Sequence, residues 1–202
     1  MDRLLDLSRG IDWINDQLGK LTWGLVFASV FISAGNAVVR KLFDYSSNAW
    51  LEIQWYLFAG VFLLGAAYTF LHNEHVRIDV LSSRLSKRGQ TWIDILGILL
   101  FLFPFCFEVV RLSLPVVGNA IASGEMSSNA GGLMRWPVFV LLPIGFFLLA
   151  LQGVSELIKR VAFLMGLAPD PTLRKNEKTT EEELAAFMLE QTTREASAGK
   201  KA

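Results

Sequence analysis

The sequence predicts an all-α integral membrane protein with four transmembrane helices, and three observations predict it. Two stretches, Leu21 to Val39 and Trp136 to Ser155, carry no charge at all, and two further apolar stretches lie between them. Hydrophobic residues make up 52% of the chain and its mean hydropathy is positive. Basic residues gather at the two termini and in the middle, with few in the alternate loops, a distribution that an even number of spans explains.

Length sets the spans. Crossing ~30 Å of hydrocarbon at ~1.5 Å per residue takes about 20 apolar residues. The spans are therefore placed at about 21–40, 53–71, 92–114 and 136–157, within a membrane domain of 21–160. In the second, Gln54, Tyr56, Tyr68 and Thr69 are polar groups suited to interfacial or partner-facing positions. The third has a short uncharged run, Ile95 to Phe107, and reaches full length only past Glu108 and Arg111 toward Leu114. Counted from Trp92, Glu108 is expected ~24 Å along the helix, near the outer boundary of the core, where a pair with Arg111 three residues on is affordable.

Ahead of the first span, Leu4, Leu7, Ile11, Ile14, Leu18 and Leu21 recur every three or four residues while Asp2, Arg3, Asp6, Arg9, Asp12 and Asp16 take the other faces. That periodicity reads as an amphipathic helix over 1–20, with Trp13 at headgroup level; an ordinary solvated helix is the alternative. After Leu71 the chain turns to His72-Asn73-Glu74-His75-Val76-Arg77-Ile78-Asp79 and then to a basic amphipathic stretch, read as a second interfacial helix at about 78–88, with Gly89 as a bend into the third span. Pro115, Gly118, Ser123 to Asn129 and Gly131-Gly132 are expected to form an outside loop. Trp136-Pro137 then opens the fourth span, and Pro143 marks a kink. The residues 161–202 read as a flexible charged tail, in which Thr180 and Glu183 have capping-box spacing.

Charge narrows the function classes. With 19 basic and 19 acidic residues the chain has no net field to attract nucleic acid. Arg3, Arg9 and Lys20, then Arg77, Arg84, Lys87 and Arg88, then Lys159, Arg160, Arg174 and Lys175 place both termini and the middle loop in the cytoplasm. Met1 to Lys20 lacks the basic start, apolar block and small-residue cleavage site of a signal peptide, so the first span is expected to remain as an anchor. Cys106 is the only cysteine; it forms no intrachain disulfide and no thiolate cluster, and packing is its expected role.

No catalytic, cofactor-binding or metal site is expected. His72 and His75, three apart, share a helix face, whereas axial haem ligands approach from opposite sides. A metal set of His72, Glu74, His75 and Asp79 competes with the simpler reading of polar residues where a helix leaves the membrane. The spans also lack the interrupted helix pairs, inverted repeat and midplane polar cluster of a coupled transport site. The chain reads as an accessory membrane subunit. Two rivals, a membrane anchor of a redox complex and a self-contained small channel, would show a haem band and a conductance of their own.

Several stretches resemble a known family. Asn48-Ala49-Trp50-Leu51-Glu52 enters the second span, Leu63-Leu64-Gly65-Ala66-Ala67-Tyr68 lies within it, and His75-Val76-Arg77-Ile78-Asp79-Val80 follows it. Later come Gly124-Glu125-Met126-Ser127, Trp136-Pro137 and Leu149-Ala150-Leu151-Gln152-Gly153. In this order they resemble the small, Q-type membrane subunit of tripartite ATP-independent periplasmic (TRAP) transporters, from about Leu21 to Pro171. The resemblance implies a bacterial inner-membrane protein that packs beside a large multispan membrane subunit. A periplasmic substrate-binding protein would deliver an organic acid, and sodium would drive its uptake through the large subunit. Substrate and sodium sites belong to the other subunits, so none is assigned here.

What remains is an interface with partner or lipid. Ser29, Ser33 and Ala37 form a small-residue ladder with Asn36 beside it, open to packing within the subunit or against a partner. With Ser33, Asn36 and Ser29, the candidate interface residues are Glu52, Arg77, Asp79, Glu108 and Arg111.

Overall fold

Where no Pro interrupts an apolar run, a chain in lipid satisfies its backbone by staying helical, and this chain does so at length. The computed structural model describes residues 1–45, 47–73 and 85–169. They belong to one compact unit, Met1–Pro171, and contain four helical runs long and apolar enough to cross a membrane. Residues 78–84 of the interfacial helix expected at about 78–88, His75, Arg77, Asp79 and the tail from 170 onward lie outside the described residues, while Lys87 and Arg88 open the next helix.

Helix α1 spans Asp2–Phe43. The amphipathic N-terminal segment and the first span are thus a single helix of 42 residues, roughly 63 Å long. It ends where Asp44 turns left-handed at φ 51°, with Arg40 and Lys41 in the last turn opposite the negative end of the helix dipole. Helix α2, Asn48–Leu71, returns beside it.

The third run starts earlier and ends later than the expected 92–114. Helix α3, Lys87–Gly97, is capped by the Ser86 hydroxyl, which accepts from the Gly89 amide at 3.3 Å, so Gly89 sits inside the first turn and makes no bend. It passes through a wider π turn, Ile98–Leu102, into α4, Phe103–Ser123. Pro104 explains the π turn: it has no amide for the Leu100 carbonyl and its ring crowds that group, and the Phe103 amide reaches back to the Ile98 carbonyl instead. Pro115 and Gly118, expected in a loop, lie inside α4, because Val117 and Ala120, on either side of Gly118, are buried and hold the last two turns. The loop is shortened to 124–135 and contains one antiparallel bridge between Met126 and Met134. Helix α5, Trp136–Leu164, runs uninterrupted through a buried Pro143.

Helix α5 is the centre of the bundle. It packs on α1, α2 and α4, while α4 has its extensive contacts with α5 alone. Between α2 and α4, floored by α5, an apolar groove of about 490 Å³ is left open, lined by Ala59, Leu63, Val109, Leu112 and Val116. Close approach of α2 and α5 depends on Gly145, where a Cβ would stand 2.7 Å from the Leu63 carbonyl oxygen. Gly19 does the same on α1, leaving room for the Tyr68 ring.

Burial is inverted relative to a protein folded in water. Phe62 and Phe101 are each 75% exposed, whereas Asn15, Gln152, Glu156 and Arg160 are at most 1% exposed. Large apolar side chains face outward, where lipid is the solvent, and polar ones hold the helices together.

Candidate functional site

Two buried polar clusters, at opposite ends of the bundle, account for most of the long-range side-chain bonds among the described residues. Near the N terminus, α1 presents Ser8, Asp12 and Asn15 at helical spacing to Gln152, Ser155, Glu156 and Lys159 of α5. The Asp12 carboxylate accepts from Ser155 Oγ at 2.6 Å and from Gln152 Nε2 at 2.9 Å, and pairs with Lys159 at 3.1 Å. Gln152 Oε1 accepts from Asn15 Nδ2 at 2.8 Å, and the Ser8 and Ser155 hydroxyls meet at 2.7 Å. Glu156 pairs with Lys159 and Arg160, and Arg160 Nε continues to Asp94 of α3 at 3.2 Å. One chain of contacts therefore links α1, α5 and α3. Among the described residues Asn15 Oδ1 is the buried side-chain oxygen or nitrogen left without a partner.

Outside this cluster, Asp16 pairs with Lys20 at 2.7 Å and approaches His72 Nε2 at 3.7 Å. The His72 ring lies against Tyr68, centroids 4.1 Å apart, with Nδ1 3.1 Å from the Tyr68 carbonyl. His72 thus ties the end of α2 to α1.

At the far end, Glu52 in the first turns of α2 holds the 124–135 loop. One carboxylate oxygen accepts from Ser127 Oγ and from Asn129 Nδ2 at 2.8 Å, and the other from the Leu133 amide at 2.6 Å. Tyr56 donates to the Met134 carbonyl at 2.8 Å and Asn48 to the Ala130 carbonyl at 2.9 Å. Arg135 closes the loop on Glu125 at 2.9 Å. An acceptor-only carboxylate suits a site where three donors converge.

The sequence-predicted interface residues divide. Ser29 is buried inside the subunit and Glu52 is occupied by the loop. Ser33 and Ala37 are exposed and Asn36 is half-buried, on the outer half of α1. Glu108 and Arg111 form a hydrogen-bonded pair at 3.1 Å whose side chains are 53% and 64% exposed, on the side of α4 away from α5. Arg77 and Asp79 lie outside the described residues.

The register of the helices gives that pair a level along the bundle. Phe105 and Phe146 rings pack edge to face at 5.5 Å, and Asp94 meets Arg160, which fixes the register of the antiparallel third run and α5. Glu108 then lies level with the Pro143 to Phe146 segment, about 10–15 Å in from Trp136 at ~1.5 Å per residue. That level is near the middle of the uncharged run of α5, Trp136 to Ser155. The helix begins before Trp92 and ends after Leu114, so the count from Trp92 does not start at the helix end.

Sequence reasoning missed the N-terminal cluster. It assigned Asp12 to a solvated face and named none of Asn15, Gln152, Ser155 or Glu156 as a contact. A signal was present: Ser8, Asp12 and Asn15, and Gln152, Ser155, Glu156 and Lys159, are polar stripes of spacing three and four on two helices.

The family model described as tripartite ATP-independent periplasmic transporters, DctQ component, matches residues 23–163. No curated protein and no solved structure matches the chain.

Proposed function

Because the chain belongs to the DctQ component family of tripartite ATP-independent periplasmic transporters, the small membrane subunits of these systems, we propose that it acts as a fixed scaffold beside the large membrane subunit during uptake. The reading extends to sodium-coupled import of an organic acid that a periplasmic binding protein delivers. Substrate and sodium are handled by the other subunits, and this chain holds its neighbour at constant depth and tilt. It lies in the bacterial inner membrane with both termini cytoplasmic, the end at which Arg3, Arg9, Lys20, Lys159 and Arg160 collect. The exposed apolar face of the N-terminal segment, with Leu4, Leu7, Trp13 and Ile14, rests at the headgroup level of that leaflet. Ser33, Asn36, Arg77, Asp79, Glu108 and Arg111 are its proposed contacts with partner or lipid.

The observation that carries the proposal is the pair of buried clusters. They use their donors and acceptors on one another and lock helix register at both ends, which suits a part that must not yield. The test is purification of the tagged chain in mild detergent from cells that express the whole system, with uptake measured in cells lacking the chain. Co-purification of a large multispan protein and loss of uptake are expected. Undiminished uptake without the chain, or a periplasmic location for a reporter fused at Arg84, refutes the reading.

A further inference from the structure

We propose that the face of α4 turned away from the bundle, centred on the Glu108–Arg111 pair, docks a transmembrane helix of the large membrane subunit that carries a hydrogen-bonding side chain, a carboxamide or hydroxyl, at the bilayer midplane. This rests on the scaffold reading above and adds to it which surface meets the partner.

The pair is out of place in lipid. The uncharged runs 21–39, 53–71 and 136–155 form the rest of the membrane domain, so Glu108 and Arg111 are the charges at mid-depth among the described spans. Both are more than half exposed, and neither touches α1, α2 or α5 through a hydrogen bond or ion pair. An arginine in lipid escapes by stretching toward the nearer headgroups. Arg111 instead bends back one turn toward Glu108, deeper into the core.

The backbone adds a further polar group on the same face. Pro115 has no amide, so the Arg111 carbonyl lacks its usual donor four residues on. The face is also thin. Gly118 follows one turn beyond Pro115, and a Cβ built there would meet nothing within 4 Å. A neighbouring backbone can therefore come close to the exposed pair and this carbonyl, as small-residue faces permit in membranes. Acyl chains offer neither a donor nor an acceptor; a protein helix with a polar side chain offers both. Beside this face, the apolar groove between α2 and α4 is open to receive the partner's larger side chains.

The experiment places a photoreactive benzophenone residue at Phe101 or Leu112, which flank the pair, and at Phe62 on α2 as the comparison, in the full chain co-expressed with the large subunit. Irradiation in native membranes is expected to join positions 101 and 112 to the large subunit, with at least several-fold less product from position 62. In parallel, Glu108→Gln is expected to lower recovery of the large subunit about tenfold without lowering the chain's own yield or thermal stability, since the pair touches nothing inside the subunit. If the large subunit co-purifies but positions 101 and 112 yield only lipid adducts or crosslinks to a second copy of this chain, the docking face is refuted and the scaffold reading stands. Full recovery with Glu108→Gln refutes it as well. If the large subunit does not co-purify with the unaltered chain, the scaffold reading fails and the docking face with it.

Discussion

Replacing Gly145 with Ala tests whether α2 and α5 are held at backbone contact. The added methyl would stand 2.7 Å from the Leu63 carbonyl oxygen, 2.8 Å from Leu63 Cβ and 3.0 Å from its carbonyl carbon. Ordinary contact between such atoms begins near ~3.5 Å, so the helices must part locally by roughly 0.5–1 Å. The obstacle includes backbone, which no rotamer change removes. A gap of that size forfeits about a quarter to a half of the dispersion energy of the atoms it separates, and overpacking of this kind costs about 1–3 kcal/mol. Taking ~2 kcal/mol, the unfolding equilibrium shifts about thirtyfold. Gly35→Ala is the matched control: it too sits within a long helix, and a Cβ there meets nothing within 4 Å. Both variants gain the same helix propensity, so their difference isolates the packing. Denaturant-induced unfolding in mild detergent measures it. If Gly145→Ala and Gly35→Ala unfold within ~0.5 kcal/mol of each other, α2 and α5 are not in the contact described here.

The two polar clusters supply the other predictions. Gln152→Leu removes the partner of Asn15 and one donor to Asp12 at a fully buried position, and is expected to destabilise the subunit by about 2 kcal/mol in the same unfolding assay. Ser155→Ala, which removes one hydroxyl from the same cluster, should cost about 1 kcal/mol, and the opposite ranking would count against this network. Arg160→Met leaves Glu156 with Lys159 alone and strips Asp94 of its guanidinium, so a loss of about 3 kcal/mol is expected, larger than for Gln152→Leu. At the far end, Glu52→Ala releases Ser127, Asn129 and the Leu133 amide, and trypsin should then cleave after Arg135 several-fold faster in detergent. Unchanged cleavage would mean the loop does not depend on Glu52.

How much of this was legible in the sequence follows from what lipid does to each signal. Span count and type were plain, because uncharged runs such as Leu21 to Val39 have few alternatives to a membrane helix. Helix ends were not. Pro115 and Gly118 read as loop because in water they break helices, yet in a membrane the backbone has no better option than to continue. The N-terminal segment was harder still. Its apolar stripe predicted a helix, but the stripe does not mark the packed face: Leu4, Leu7 and Ile14 are between 45% and 52% exposed, while Ser8 and Asn15 are buried. Amphipathicity shows which side is greasy and not whether that side meets lipid or protein. Glu52 was named for an interface with partner or lipid, and its contacts within the subunit lie some 75–81 residues away in a loop whose fold the sequence does not display.

The distribution of these contacts bears on how a scaffold is built in lipid. Between transmembrane helices the hydrophobic effect supplies little force, since lipid tails are as apolar as leucine. Close glycine contacts such as Gly145 on Leu63 bring helices together but allow sliding along their axes. Directional bonds do not: a slip of α1 past α5 by one turn would separate Ser8, Asp12 and Asn15 from Ser155, Lys159 and Gln152 together. The far-end cluster prevents the same slip of α2, since Glu52, Tyr56 and Asn48 all bond into the loop that leads to α5. Register along the membrane normal is therefore secured at one end for α1 on α5 and at the other for α2 on the loop leading to α5. Helix α4 packs chiefly on α5, and among the described residues its outward face carries an exposed charged pair. A helix that rests chiefly on one neighbour and turns a charged pair outward has a chemical need for another, which is the asymmetry expected of a part made to be completed by a partner.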